Sequence, residues 1–225
     1  MNYVGKIMDN CTKIILIRHG QSIGNAKRII LGHTDLDLTD LGYLQADTTA
    51  EYLKNEKIDK IYSSDLKRAY NTAIPHAKIR QMDVITSEKL REVYIGAWEG
   101  LYVDDIIAKW GREAFEIDWH GHFGTFTFPE GEAISDAGYR FYNEIKRISS
   151  ENIGKTILIT AHAAVIRAFW AVICHISWEN VVDEIPFASN ASYSICYYKN
   201  GEVYPDSYSN DSHLAKVGIT KVKLL

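Results

Sequence analysis

The chain has 225 residues, 46% hydrophobic and 12% aromatic, enough for a substantial core and for one large α/β domain. A formal net charge of −4 excludes a nucleic-acid or membrane-surface binder driven by bulk electrostatics, and suits a local positive pocket that takes a small anion. Three cysteines (Cys11, Cys174, Cys196), odd in number and without a C-x-x-C pair, read as reduced thiols of a cytoplasmic protein, Cys174 and Cys196 as small buried apolar groups.

Residues 1–12 are polar and lack the apolar core of a signal peptide. An apolar run over 13–17 ends in Arg18-His19-Gly20 and predicts a strand. Residues 21–37 read as an irregular, glycine-bearing segment. Thr39 then offers an N-cap to a helix whose apolar face includes Leu41, Leu44 and Leu53. A strand over 58–62 leads through Ser63-Ser64 to a helix carrying Arg68 and Ala73, expected to end near Pro75-His76. Val84-Ile85 is a short strand and 102–110 a helix. Residues 111–131 have weak periodicity and many aromatics (Phe115, Trp119, Phe123, Phe126, Phe128).

Ser135 is the expected N-cap of an amphipathic helix through Ile148. A strand over 156–160 delivers His162, and the apolar stretch 163–176, too short to span a bilayer and carrying Arg167, reads as a buried helix. The alternation over 191–198 predicts a late strand, with a hairpin turn at Asn200-Gly201. Residues 201–225 are open among an edge strand, an interface and a substrate lid. Strands alternating with helices imply βαβ units, so the expected fold is α/β: a three-layer α/β/α sandwich with a mainly parallel sheet, in a single domain over 1–225. Residues 101–131 are expected to cover the sheet's active rim.

Ligands of parallel α/β sheets bind beyond the strands' carboxyl ends. Arg18, His19, Arg68 and His162 all follow apolar strands, so they would gather at one rim as a small cationic pocket for phosphate. Neighbouring arginines disfavour imidazolium and keep His19 neutral, hence nucleophilic. Its second ring nitrogen needs a carbonyl to fix the tautomer, which the turn at Gly20 could supply. His162 opens a helix, whose N-terminal N–H groups suit an oxyanion. Glu92 is a candidate general acid, because a bound phosphate dianion favours the protonated form of a nearby carboxylate. Glu99, Asp104 and Asp105 compete with it, and spacing does not decide among them. His120 and His122 lack an obvious partner at ligand spacing, so no metal site is read there.

In order along the chain stand Arg18-His19-Gly20-Gln21-Ser22 with Asn25, Gly32-His33-Thr34-Asp35, Leu38-Thr39-Asp40-Leu41-Gly42, and Ser63-Ser64-Asp65-Leu66-Lys67-Arg68-Ala69. Leu90-Arg91-Glu92, Gly96-Ala97-Trp98-Glu99-Gly100, Pro129-Glu130-Gly131-Glu132 and Ala161-His162 with Val165-Ile166-Arg167 complete the series. From about Lys13 to Tyr198 this pattern resembles the histidine phosphatase superfamily, the phosphoglycerate mutase-like enzymes. The resemblance implies that His19 attacks phosphorus, that Arg18, Arg68 and His162 hold the equatorial oxygens, and that Glu92 serves as acid and then base. Asn25 would add a neutral donor, and Gly32 and the backbone of Ala163 would line the substrate site. No metal or cofactor is implied. Two positions depart from the usual pattern: Ala163 stands where glycine is common and Ala133 where serine is usual.

The resemblance implies a phosphatase acting on small phosphate esters, with no nucleic-acid or membrane partner. A cofactor-dependent phosphoglycerate mutase and a non-catalytic phospho-ligand sensor are the alternatives. Such mutases carry an arginine-rich insertion, whereas residues 101–131 hold only Lys109 and Arg112 as cations. A sensor would have lost His19 or the acid. The substrate stays open among sugar phosphates, phosphoglycerate and nucleotide-like phosphates such as α-ribazole phosphate. Oligomeric state stays open too, a homodimer included.

Overall fold

The computed structural model describes residues 10–112 and 124–221. Six strands form one sheet: β1 (Thr12–Arg18), β2 (Lys60–Ser63), β3 (Val84–Thr86), β4 (Thr156–Ala161), β5 (Tyr193–Lys199) and β6 (Glu202–Asn210). Their spatial order is β3-β2-β4-β1-β5-β6. β1, β2, β3 and β4 pair in parallel, and β5 and β6 add an antiparallel edge. Of the options open for residues 201–225, Glu202–Asn210 takes that of an edge strand. Its turn uses Asn200 (φ 53°) and Gly201 (φ 89°), both left-handed as a tight hairpin requires.

The unbroken apolar run of β1 is explained by two covered faces. Ile14 and Leu16 enter one core and Ile15 and Ile17 the other. β4 divides in the same way, with Ile157, Ile159 and Ala161 opposite Leu158. Each fully buried aliphatic side chain of this kind contributes about 1.5–3 kcal/mol. Helices α2 (Asp40–Tyr52) and α3 (Lys67–Arg80) cover the smaller core. Helices α5 (Ile134–Ser150) and α6 (Ala163–Ile173) cover the larger one, joined by the edge-to-face pair Phe141–Phe169 at 5.5 Å. Short helices α1 (Ile23–Lys27), α4 (Val103–Trp110) and α7 (Val181–Glu184) complete the described set. The layers and the mainly parallel sheet agree with the sequence reading.

Three local expectations are corrected. The segment 21–37 is not wholly irregular: Ser22 caps α1 through a capping box in which its Oγ accepts from Asn25 N–H and its own N–H donates to Asn25 Oδ1. Helix α3 does not stop at Pro75 but runs to Arg80. Proline removes one hydrogen bond, while Ala69, Ala73 and Ala77 form a continuous buried stripe that carries the helix on. Helix α5 begins after Ala133, not Ser135, and no side chain caps it; the isolated bridge Thr127–Ala133 fixes its entry instead. Half-buried Cys174 packs at the edge of the core, while Cys196 is fully buried.

Glycines join the first loop to α2. A Cβ on Gly42 would lie 2.0 Å from Gln21 O, and one on Gly20 would lie 2.3 Å from Gly42 O. The two backbones touch, and Thr39 secures the contact by donating through Oγ1 to Gln21 Oε1 while capping Gly42 N–H. That contact sets where the chain leaves β1.

Candidate active site

Three central, adjacent strands bring the site together. The ladder between β1 and β4 continues past the strand ends, with His19 N–H donating to Ala161 O at 2.9 Å. The next residue of each strand is a histidine, so His19 and His162 face each other with ring centroids 5.3 Å apart. Ser64 N–H donates to Thr160 O, which places the start of α3, and so Arg68, on the same rim. The parallel register is what turns three distant segments into one pocket.

His19 is buried, and its Nδ1 lies 2.7 Å from Gly20 O. That carbonyl fixes a proton on Nδ1 and leaves Nε2 with its lone pair. Burial, then the nearby Arg68 and Arg18 cations, hold the His19 pKa well below the ordinary histidine value. His162 is lowered in the same way, by burial first and then by Arg68 and His19, and neither of its ring nitrogens has a protein partner. Its place beside His19, with ring centroids 5.3 Å apart, puts these unpaired nitrogens next to the cavity that His19 lines.

Both arginines are buried and braced by main-chain carbonyls. Arg18 Nη1 donates to Ala188 O at 2.6 Å. Arg68 donates through Nη1 to Thr34 O and through Nη2 to Gly32 O. Burial lowers both guanidinium pKa values to about 10, so each stays charged at neutral pH. Gly32 has φ +50°, and a Cβ there would meet Glu99 Oε1 at 2.3 Å. Its lack of a side chain leaves room for the Glu99 carboxylate beside the turn whose carbonyl braces Arg68.

The structure separates the acids that spacing left open. Glu92 lines the cavity with His19, Arg18 and Arg68. Glu99 instead accepts backbone N–H groups of His33 and Ile95, and so ties loops together. Asp104 and Asp105 lie exposed on α4. The N-terminus of α6, expected to face an oxyanion, is partly committed to Glu92: Ala164 N–H donates to its Oε2 and Val165 N–H to its Oε1. Ala163, just before that pair, lines the cavity.

Asn25 also lines the cavity. Its Oδ1 accepts from Ser22 N–H and Asn190 Nδ2, which leaves the amide Nδ2 as the end available to donate. Asn190, buried before β5, was invisible to sequence reasoning. It also donates through Nδ2 to His19 O, and is held in turn by Thr220 near the chain's end. Gln45 joins this network, accepting from Gln21 N–H while donating to Gly218 O and Thr220 Oγ1.

The remaining wall is apolar: Ile29, Ile30, Leu31, Ile95, Trp98, Phe128 and Phe187. Among the described residues, the cations lining this cavity are Arg18 and Arg68. Arg167 stands behind the wall, its guanidinium 4.4 Å over the Phe187 ring and its Nη2 donating to Val181 O and Val182 O. Trp119, His120 and His122 lie outside the described residues.

Buried neutral histidines make the fold acid-sensitive. His76, inside the α3 layer, has no protein partner on either ring nitrogen, and burial pushes its pKa down to about 3. Unfolded histidines take up a proton below about pH 6.5, while folded His76, His19 and His162 stay neutral well below that. The unfolded chain therefore binds more protons in that window, and stability falls as pH drops through it. Each histidine contributes about 1.4 kcal/mol per pH unit there. Urea unfolding at a series of pH values should show this slope, and His76→Leu should lower it by one histidine's share; an unchanged slope would contradict the assignment.

Taken together, fold and pocket define an α/β protein with a cationic anion site at the carboxyl rim of its sheet. The chain belongs to the histidine phosphatase superfamily (branch 1), whose family model matches residues 14–211. It is 31% identical to a metal-independent phosphoserine phosphatase of Arabidopsis thaliana over 215 residues, covering 95% of this chain and 87% of that one. It is 34% identical to a 2,3-bisphosphoglycerate-dependent phosphoglycerate mutase of Bartonella bacilliformis, covering 75% of this chain and 84% of that one. Among solved structures it is similar to a mycobacterial glucosyl-3-phosphoglycerate phosphatase in complex with VO3. That match has a TM-score of 0.79 at 26% identity and covers 88% of this chain and 98% of that one.

Proposed function

We propose that this protein is a phosphatase that hydrolyses small phosphate monoesters without a metal, through a phosphohistidine on His19. The observation that carries the reading is the His19 ring, tied through Nδ1 to Gly20 O beside two buried arginines and the unpartnered His162. The family membership supports it, as do relatives named as phosphatases, one of them as metal-independent.

The chemistry follows from the atoms present. His19 Nε2 attacks phosphorus in line, forming the P–N bond as the P–O ester bond breaks. Glu92 gives its proton to the departing alkoxide. Arg18, Arg68 and His162 hold the equatorial oxygens, where charge is greatest. A water molecule then loses a proton to the Glu92 carboxylate and attacks phosphorus, breaking the P–N bond. Inorganic phosphate leaves, and Glu92 is again protonated. Asn25 Nδ2 adds a neutral donor to the cradle.

The apolar wall supports esters whose leaving group is itself apolar or aromatic and carries no second anion. Beyond Arg18 and Arg68 the described cavity offers no cation, and residues 113–123 contain no lysine or arginine. A panel of phosphate esters assayed with a chelator present should give full turnover, with aryl phosphates ahead of phosphoserine and 3-phosphoglycerate by at least about tenfold in kcat/KM. Loss of turnover on chelation would overturn metal independence. Rapid isomerisation of 3-phosphoglycerate with 2,3-bisphosphoglycerate present, without phosphate release, would make the protein a mutase.

A further inference from the structure

Glu92 is held by more than its carboxylate. Its main-chain carbonyl accepts two side-chain donors, His33 Nε2 at 2.9 Å and Arg140 Nη2 at 3.1 Å. Arg140 Nη1 reaches along the same segment to Lys89 O at 2.9 Å and Arg91 O at 3.1 Å. The guanidinium is itself fixed by Glu132, with Nη2 at 2.7 Å from Oε1. Glu132 Oε1 in turn accepts Tyr94 N–H, just beyond Glu92, at 2.8 Å. His33 is anchored at its own N–H by Glu99 Oε1, and its ring lies 5.2 Å from Tyr94.

From this geometry we infer that Arg140 and His33 are positioning residues for Glu92: a two-sided clamp that aims its carboxyl at the leaving-group oxygen. The inference rests on the acid role proposed for Glu92. Arg140 belongs to α5, a long helix anchored in the larger core by Phe141 and Ile145. The clamp therefore ties a loop carboxylate to a rigid element. An extended segment such as 91–95 has few internal hydrogen bonds of its own. Without the clamp, only the Ala164, Val165 and Val93 N–H bonds would hold the side chain, while the backbone beneath it could shift. This also accounts for the Pro129-Glu130-Gly131-Glu132 run, whose residues are not among those lining the cavity with His19. Gly131 lets that turn close on the loop, since a Cβ there would meet Tyr94 O at 2.5 Å.

A mispositioned acid has a distinct kinetic signature. Departure of a poor alkoxide leaving group needs the proton, whereas an activated phenolate departs without it. The test measures kcat/KM over a series of substituted phenyl and alkyl phosphates for the native protein, Arg140→Gln, Arg140→Lys, Glu92→Gln and the double variant. Glu92→Gln should lose on the order of 10²-fold on the poorest leaving groups and little on the best. Arg140→Gln should show the same tilt at about tenfold or more, with Arg140→Lys partly restoring it. The double variant should lose no more than Glu92→Gln alone, because the clamp acts only through that carboxyl. If Arg140→Gln does not fold, as judged by its unfolding transition, His33→Gln carries the same expectation. An equal loss across all leaving groups, or additive losses in the double variant, would overturn the clamp. If Glu92→Gln itself shows no tilt, the acid role falls and the clamp falls with it, whereas a tilt in Glu92→Gln alone sinks only the clamp.

Discussion

Replacing His19 with alanine should lower kcat on an aryl phosphate on the order of 10⁴-fold or more, as deletions of covalent nucleophiles do. The side chain supplies the attacking atom, and no other residue stands ready to replace it. His162 is the nearest imidazole, but neither of its nitrogens has the carbonyl partner that Gly20 O provides to His19. The fold should survive, because the ring fills part of an open cavity and its main-chain bond to Ala161 O is kept. A loss below about tenfold, measured on folded protein, would mean that phosphoryl transfer does not pass through this residue.

The second large effect concerns Arg68. Lysine there keeps the charge but not the fork that spans two main-chain carbonyls and still presents donors to the pocket. Arg68→Lys should cost about 10²–10³-fold in kcat/KM, comparable with removing one donor from an oxyanion hole. It should also weaken vanadate and inorganic phosphate inhibition. Part of the loss would come from the freed carbonyls of Gly32 and Thr34, buried acceptors that would lose their partner. A drop in kcat/KM with unaltered inhibition by these anions would contradict a direct role in the cradle.

Much of this architecture could be read from residue pattern. β1 and β4 carry unbroken apolar runs over 14–17 and 157–159 that enter both cores, so they stand out, and the basic residues at their ends fall on one rim once the sheet is parallel. The hairpin at Asn200-Gly201 was legible because only a few residue types tolerate its left-handed backbone. Helix ends were less legible. Pro75 signals a stop locally, yet a buried alanine stripe packed on the sheet overrides it. Ser135 looks like a cap, yet the chain enters α5 two residues earlier, through a bridge to Thr127.

The site was legible where chemistry is carried by residue type and opaque where it is carried by the backbone. His19, Arg18, Arg68 and His162 are visible as side chains. The carbonyls of Gly20, Gly32, Thr34 and Ala188 that orient the first three have no residue signature; only Gly20 could be anticipated, being adjacent in sequence. The choice between Glu92 and Glu99 illustrates the same limit, since both precede glycine-bearing turns and only packing shows which faces the cavity. Asn190 and Thr220 lie over 170 residues from His19 in sequence, and nothing local marks them as its supports. Long-range contacts of that kind are set by the fold alone.

The central step is a covalent bond between phosphorus and His19. Rapid acid-free quenching of the protein with radiolabelled substrate, followed by peptide mapping, tests it most directly. The expected result is label on the peptide containing His19, stable to alkali and lost in acid as a phosphohistidine should be, and absent from His19→Ala. Turnover of the same substrate with no label trapped at any quench time, or with label on another residue, would contradict it.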